Sequence, residues 1–410
     1  MRPCRPQEAL SSACAPVIWN LTALGVLLMN PIFAGIGTSV FERMSARARA
    51  TGAINLGQGF PDDPGPEDVR RAAADAVIDG WNQYPPMLGL PELRKAVADH
   101  YLRFQGLGLD PESEVMVTSG ATEALAGALL ALIAPGDEVV LFQPMYDAYL
   151  PLVLRAGGVP KFVRLKPPHW SFDDDDLAAA FSDRTRVVLF NNPLNPAAVA
   201  FDGESLARLA RFCVRHDAIA VCDEVWEHVV FDGRRHISIF ALEGMRERTV
   251  KIGSAGKIFS MTGWKVGFVC ACERILRVLS RAHQFITFTT PPNLQVAVAY
   301  GLAKEGAYFD AMRAGLQRSR DRLAQGLRSI GWRPFTSEAT YFLNVDVSEF
   351  CDDDEEFCTC LVETFGVAAI PLSAFYAVDP VRTAIRLCFA KRDATLDGAL
   401  ERLARVKATA

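Results

Sequence analysis

The run KIGSAGKIFSMTGWKVGF (251–268) ends a β-type segment at a turn of small residues that carries Lys257, with a second cation, Lys265, eight positions on. Ser254, Ala255 and Gly256 leave room for a bulky planar group to approach the Lys257 amine. Burial there depresses an amine's pKa toward the neutral nucleophile that imine formation needs. Most lysines are surface charges, so the run by itself does not establish that chemistry. In IAVCDEVWEH (219–228) a hydrophobic strand delivers Asp223 to the carboxyl edge of a sheet, and a buried carboxylate there demands a cationic partner. A pyridinium nitrogen is one such partner, because a carboxylate keeps the ring protonated and able to accept electrons from a breaking bond. A local arginine, or a helix N-cap, is the alternative. The segment VMVTSGATEALAGALLALI (115–133) reads as strand, small-residue turn and long helix. Its first-turn N–H groups, at Ala121 and Thr122, suit a phosphate, unless Ser119 simply caps the helix. In FNNPLNPAAVAF (190–201) prolines fix the backbone so that Asn195 can donate a hydrogen bond at a set place; as a loop signal alone it says little.

The elements that must position these residues follow from periodicity. Short β-rich runs at 114–119, 137–142, 160–165, 185–190, 218–223, 249–254 and 266–271 alternate with helix-period runs. Seven strands with intervening helices predict an α/β sheet, mostly parallel and covered on both faces. Beyond about Ala303 long amphipathic helices (310–330, 394–406) with fewer strands (339–347, 384–390) predict a second, smaller α+β domain. The acidic runs Asp173–Asp176 and Asp352–Glu356 read as solvated loops or helix starts.

The chain has 410 residues, 50% apolar and 22% charged, which is enough to bury a large core and excludes a disordered tail or a coiled-coil rod. A net charge of -5 disfavours a nucleic-acid binder. The ten cysteines are scattered, with Cys222, Cys270, Cys272 and Cys388 inside strand-like runs, and read as buried thiols rather than a disulfide framework. There is no CxxC, the six histidines are isolated, and no metal is expected. The apolar stretch Ala15–Met29 is shorter than the ~20 residues a spanning helix needs, so no membrane association is expected. No cleavage site follows it convincingly, so a cytoplasmic protein is expected. Met29 reads like a natural start, which makes residues 1–28 an upstream extension or a disordered leader.

In this order, the strand–turn–helix, Asn-Pro loop, strand-end aspartate and Lys257 turn resemble the pyridoxal-phosphate aminotransferases of fold type I. The similarity is to their class I branch and its methionine, glutamine and aromatic (kynurenine) group. The motifs INLGQGFPD (54–62), NQYPP (82–86), SAGK (254–257) and TGWK (262–265) carry the resemblance, which spans about Met29 to Val406. It implies a large cofactor-binding domain at 66–303, a small domain from 46–65 and 304–410, and an N-terminal arm at 29–45. It also implies that Lys257 holds pyridoxal 5'-phosphate as an internal aldimine and then moves the substrate's proton. By the same resemblance Asp223 pairs with the pyridinium nitrogen, Asn195 bonds the ring's 3'-oxygen, and Tyr146 stacks on the ring. Ala121, Thr122, Ser254, Lys265 and the neighbouring subunit's Tyr84 hold the phosphate. Arg386 and the backbone of Gly59 grip the substrate carboxylate. A homodimer with shared sites follows, Phe288 and Thr289 also reaching across, and Ile36 and Gly37 shaping the pocket.

Three positions depart from the family's pattern. Trp226 stands where relatives have a tyrosine whose hydroxyl meets the cofactor; its indole N–H can donate but cannot accept. Ala197-Ala198 replaces a common Thr-Gly: if that glycine needs positive φ, the turn differs and Asn195 is displaced. Ile258 replaces a common threonine. The leading expectation is a transaminase that moves an amino group from a methionine-, aromatic- or glutamine-like donor to a 2-oxo acid. A carbon–sulfur β-lyase, a succinyl-diaminopimelate aminotransferase and a catalytically silent protein on the same scaffold are the alternatives.

Overall fold

The computed structural model describes residues 29–409, so expectations about residues 1–28 lie outside it. The described residues 29–37 belong to a unit of their own and include a one-turn helix, Pro31–Ala34, capped by Asn30. From Thr38 the chain is a single compact unit built around a seven-stranded sheet. Its strands are β1 (Val115–Thr118), β2 (Glu138–Gln143), β3 (Val159–Arg164), β4 (Thr185–Asn191), β5 (Ile219–Asp223), β6 (Thr249–Ser254) and β7 (Gly267–Cys270). Each falls within a residue or two of its expected run. The spatial order is β1-β7-β6-β5-β4-β2-β3, parallel except for β7, which is antiparallel to both neighbours.

Alternation along the strands explains how both faces are filled. Val139, Leu141, Leu189 and Val221 point to one face, beneath Leu125 and Leu129 of helix Ala121–Leu132 and Ile275 and Leu279 of helix Glu273–Ile286. Val140, Phe142, Phe190 and Cys222 point to the other, against Leu206, Leu209 and Phe212 of helix Gly203–Arg215. Cys222, Cys270, Cys272 and Cys388 are buried free thiols, as their apolar settings suggest.

The smaller sheet is antiparallel, in the order Ile370–Pro371, Ala384–Cys388, Phe342–Asp346, Arg333–Pro334. The long helices beside it run Gly306–Ser329 and Asp393–Thr409. Both acidic runs are helix starts: the Asp173 side chain accepts from the Asp176 N–H in a capping box, and Asp353 caps Asp354–Cys360. Within the stretch read as an arm, Ser39 caps helix Val40–Thr51, which buries Met44 and sets Phe41 edge-on to Phe375 at 5.5 Å. That part packs on its own chain. No helix among the described residues is long and apolar enough to cross a membrane.

Candidate active site

Register brings the site together. Asn191 is paired with Asp223, Asp223 with Ile252, and Ser254 and Thr118 both with Gly267. The carboxyl ends of β4, β5 and β6 therefore lie in one row, the edge where open α/β sheets bind ligands. A cavity of about 430 Å³ opens above this row. Its lining includes Gly59, Ala121, Thr122, Tyr146, Asn195, Asp223, Trp226, Ser254, Lys257, Lys265 and Arg386. Of the site residues expected from the sequence, Tyr84, Phe288 and Thr289 are not in this lining, and Ile36 and Gly37 belong to the separate unit that ends at Gly37. Tyr84 is 82% exposed on the surface, its ring edge-on to Phe288 at 5.6 Å.

Asp223 is buried, and burial raises its pKa against the lowering pull of the Tyr149 hydroxyl, which donates to Oδ2 at 2.7 Å. The Val225 N–H meets Oδ1 at 3.3 Å. Asn191 locks the same strand end, donating to the Asp223 carbonyl at 2.7 Å while its own Oδ1 accepts from the Asn195 N–H at 2.8 Å. Lys257 lies on the short helix Ala255–Ile258 directly after β6. Burial lowers its pKa to about 8, helped by the Arg386 and Lys265 cations and opposed by Asp223. Its Nζ donates to the Tyr341 hydroxyl at 3.1 Å and stands 4.8 Å from the centre of the Trp226 ring. Tyr146 borders the cavity and meets Tyr149 edge-on at 5.7 Å.

The end expected to hold a phosphate is built by close approach. Gly120 has φ +82°, and a Cβ there would come within 3.1 Å of Lys265 Cε. At Gly267 a Cβ would meet the Gly120 carbonyl carbon at 2.7 Å and the Ala121 nitrogen at 2.8 Å. Lys265 is itself left-handed at φ 53°, a strained state for a side-chain-bearing residue. Helix Ala121–Leu132 has no side-chain cap, so its first turn is left for an anion. Ser119 does not cap it; its N–H instead donates to Glu123 Oε2.

At the opposite end Arg386 is 2% exposed, its guanidinium 3.9 Å from the centre of the Phe342 ring. Nη1 donates to Asn195 Oδ1 at 2.9 Å and Nη2 to the Gly57 carbonyl at 3.0 Å, while Nε is buried without a partner. An unpaired buried donor of this kind calls for an acceptor such as a carboxylate.

The expectation for Ala197-Ala198 needs correction. The turn keeps its positive φ, because Ala198 itself adopts φ 62°. Its N–H bonds Leu194 O, and its carbonyl accepts from the Glu338 and Ala339 N–H groups. Fixed on both sides, the alanine tolerates the left-handed state, and Asn195 Oδ1 accepts from Arg386. Ile258 is buried among Leu93, Phe259 and neighbouring apolar residues, away from the cavity lining.

The residues after Asp223 form a second buried cluster. Glu224 and Glu227 both bind the Lys251 ammonium, with Glu224 Oε2 also bonded to His236 Nε2 at 2.8 Å. Glu224, Glu227 and His236 converge closely enough to hold a metal ion, but the lysine ammonium already serves as their cation. Sequence reasoning missed Tyr149, Asn191 and Tyr341. Tyr149 carried a signal, standing three residues after Tyr146 as the first residue of helix Tyr149–Arg155.

A family model for aminotransferase class I and II matches residues 51–403. The chain belongs to that family. It is 44% identical over 378 residues to a probable N-succinyldiaminopimelate aminotransferase of Mycobacterium tuberculosis, covering 89% of this chain and 95% of the relative. It is 42% identical over 369 residues to the methionine aminotransferase of Escherichia coli, covering 90% and 96%. The solved structure of the N-succinyldiaminopimelate aminotransferase from Mycobacterium tuberculosis superposes with a TM-score of 0.90 at 43% identity, covering 92% of this chain and 100% of that one. The molecule is a pyridoxal-phosphate-dependent aminotransferase with the fold of that enzyme class. Its buried strand-end carboxylate, depressed lysine and glycine-lined anion cradle have the chemistry this cofactor requires.

Proposed function

We propose that this aminotransferase takes an amino donor with an uncharged, methionine-like or aromatic side chain. One observation carries the reading. Among the described residues the cations lining the cavity are Lys257, Lys265 and Arg386, and each has a task in this reading that leaves no charge for a second carboxylate. The rest of the wall includes Phe41, Leu125, Val225, Trp226 and Phe342, a surface that favours apolar side chains. N-Succinyl-diaminopimelate carries further carboxylates, and within this chain's cavity they would meet Asp147 rather than a cation.

Bound pyridoxal phosphate supplies an electron-withdrawing ring and a carbonyl carbon to which an amine can bond. In this reading Lys265, Ser254, Ala121 and Thr122 hold the phosphate, and the partner subunit completes that grip with its own copy of Tyr84. Asp223 keeps a proton on the ring nitrogen, with Tyr149 and Asn191 fixing its direction. Tyr146 covers one face of the ring. Asn195 points its amide N–H groups at the 3'-oxygen, since its Oδ1 is engaged by Arg386. Arg386 and the Gly59 backbone orient the substrate carboxylate and thereby set which bond at Cα breaks. The Lys257 amine, neutral in a substantial fraction near its pKa of about 8, would take the proton from Cα as base and deliver it to the cofactor's C4′ carbon as acid. The enzyme works as a homodimer in the cytoplasm. The exposure of Tyr84 beside Phe288 supports the dimer.

The test is an absorbance scan of the purified protein mixed in turn with L-methionine, L-phenylalanine, L-glutamine, L-kynurenine and N-succinyl-L,L-diaminopimelate. Rapid bleaching of the cofactor band by the apolar donors is expected. Faster bleaching by the succinylated compound would overturn the substrate reading. Borohydride reduction followed by peptide mapping should find the cofactor on Lys257.

A further inference from the structure

Tyr341 is wedged between the residues expected to move the proton and those expected to hold the carboxylate. It is 2% exposed, meets Trp226 edge-on at 4.3 Å, and packs its ring against Phe342. Its hydroxyl donates to the Gly59 carbonyl and accepts from Lys257 Nζ at 3.1 Å. A phenol has one proton, and once that proton is committed to a carbonyl the oxygen facing the lysine can only accept. The face of the Trp226 indole, 4.8 Å from Nζ, attracts the same ammonium. These groups make a seat for a lysine that carries its protons. The seat is anchored in the segment that also bonds Arg386, through Gly57 O.

We propose that Tyr341 is a positioning residue for amino-group transfer: its hydroxyl, pinned by Gly59, holds the Lys257 amine in line with the substrate whenever that amine is not bonded to the cofactor. The proposal rests on the reading of Lys257 as the group that moves the proton. Tyr341 keeps its own proton throughout; the proton that travels is the one Lys257 takes from Cα and delivers to the cofactor's C4′ carbon. The charged and titratable groups facing Lys257 are Asp223, Arg386, Lys265 and Cys388, of which only the Cys388 thiol is a neutral acceptor, and a weak one beside a phenol oxygen.

The experiment is trace acetylation of the cofactor-free full-length protein across pH, with Lys257 followed by peptide mass. The wild-type midpoint should lie near the depressed value of about 8. Losing an acceptor that favours the ammonium should move it down by about one unit in Tyr341→Phe. In the loaded enzyme the same variant should cut the rate of the half-reaction with L-methionine about tenfold, leave KM unchanged, and enlarge the isotope effect of deuterium at Cα. A purely structural role would not move the acetylation midpoint, so a midpoint that stays put or rises overturns the proposal. Replacing Tyr341 with 3-fluorotyrosine keeps the shape and weakens the acceptor; it should give a smaller downward shift and decides the matter if the phenylalanine variant does not fold. If borohydride places the cofactor on a residue other than Lys257, the underlying reading fails. If it finds Lys257 and the midpoint is unmoved, only the role of Tyr341 fails.

Discussion

Arg386 keeps its charge at neutral pH although burial draws its pKa down to about 10. Two of its donors are already used by Asn195 and Gly57, which fixes the plane of the guanidinium. A lysine at this position would keep the charge and lose the fork. Arg386→Lys is therefore expected to raise KM for the amino donor by about 10- to 100-fold, the value of one or two charge-assisted hydrogen bonds, with a smaller effect on kcat. Steady-state kinetics with L-methionine would show it. At Ala198 the left-handed backbone costs an alanine roughly 1 kcal/mol. Ala198→Gly should stabilise the protein by about 0.5–1 kcal/mol in urea unfolding; a loss of stability would mean the turn is not strained. Side chains whose own type names a chemistry, such as Lys257, Asp223 and Arg386, are legible as candidates in the sequence alone. Tyr149, Asn191 and Tyr341 act through the atoms of those residues, and distances across a fold leave no mark on local spacing.

Strand β6 shows what an element hides. Its sequence, TVKIGS, reads as an apolar strand with one charge, yet Lys251 is wholly buried and ion-paired with Glu224 and Glu227. The pair raises the lysine's pKa and holds both carboxyls below their usual range. Lys251→Met would strand two buried carboxylates and should cost about 3–5 kcal/mol, measured by denaturant unfolding. Nearby, His100 and His228 share a contact of 2.7 Å between their Nε2 atoms, and burial holds them at about 4 and about 3. Below the unfolded value of 6.5 the unfolded chain binds protons that the folded one refuses, so stability falls as pH drops from 6.5 toward 4. The Glu224 contribution, present above its unfolded 4.5, is lost as pH falls on toward about 2. Tm should decline across this whole window, and a His228→Gln variant should show a shallower decline above pH 4. The seven strands themselves were legible because β-branched runs between turns mark them. Their order, and the reversal of β7, were not, because pairing is decided by which helices cross which face.

At the scale of the whole molecule, Tyr84 is exposed along with Ile78, Trp81 and Phe285, of which Phe285 is 85% exposed. If Tyr84 serves the neighbouring site, inactive Lys257→Ala and Tyr84→Ala chains should complement each other. Random reassociation makes half the dimers hybrid, each with one intact site of two, so about a quarter of wild-type activity should return. No recovery would mean that Tyr84 does not serve the neighbouring site. The indole at 226 has a further use. Its ring lies beside the lysine nitrogen and edge-on to Tyr341, close enough for its emission to be quenched when the heterocycle arrives. If the cofactor binds as proposed, part of the emission of the chain's six tryptophans should fall on loading, and a Trp226→Phe variant should lose that change, so that filling could be followed in real time without a dye.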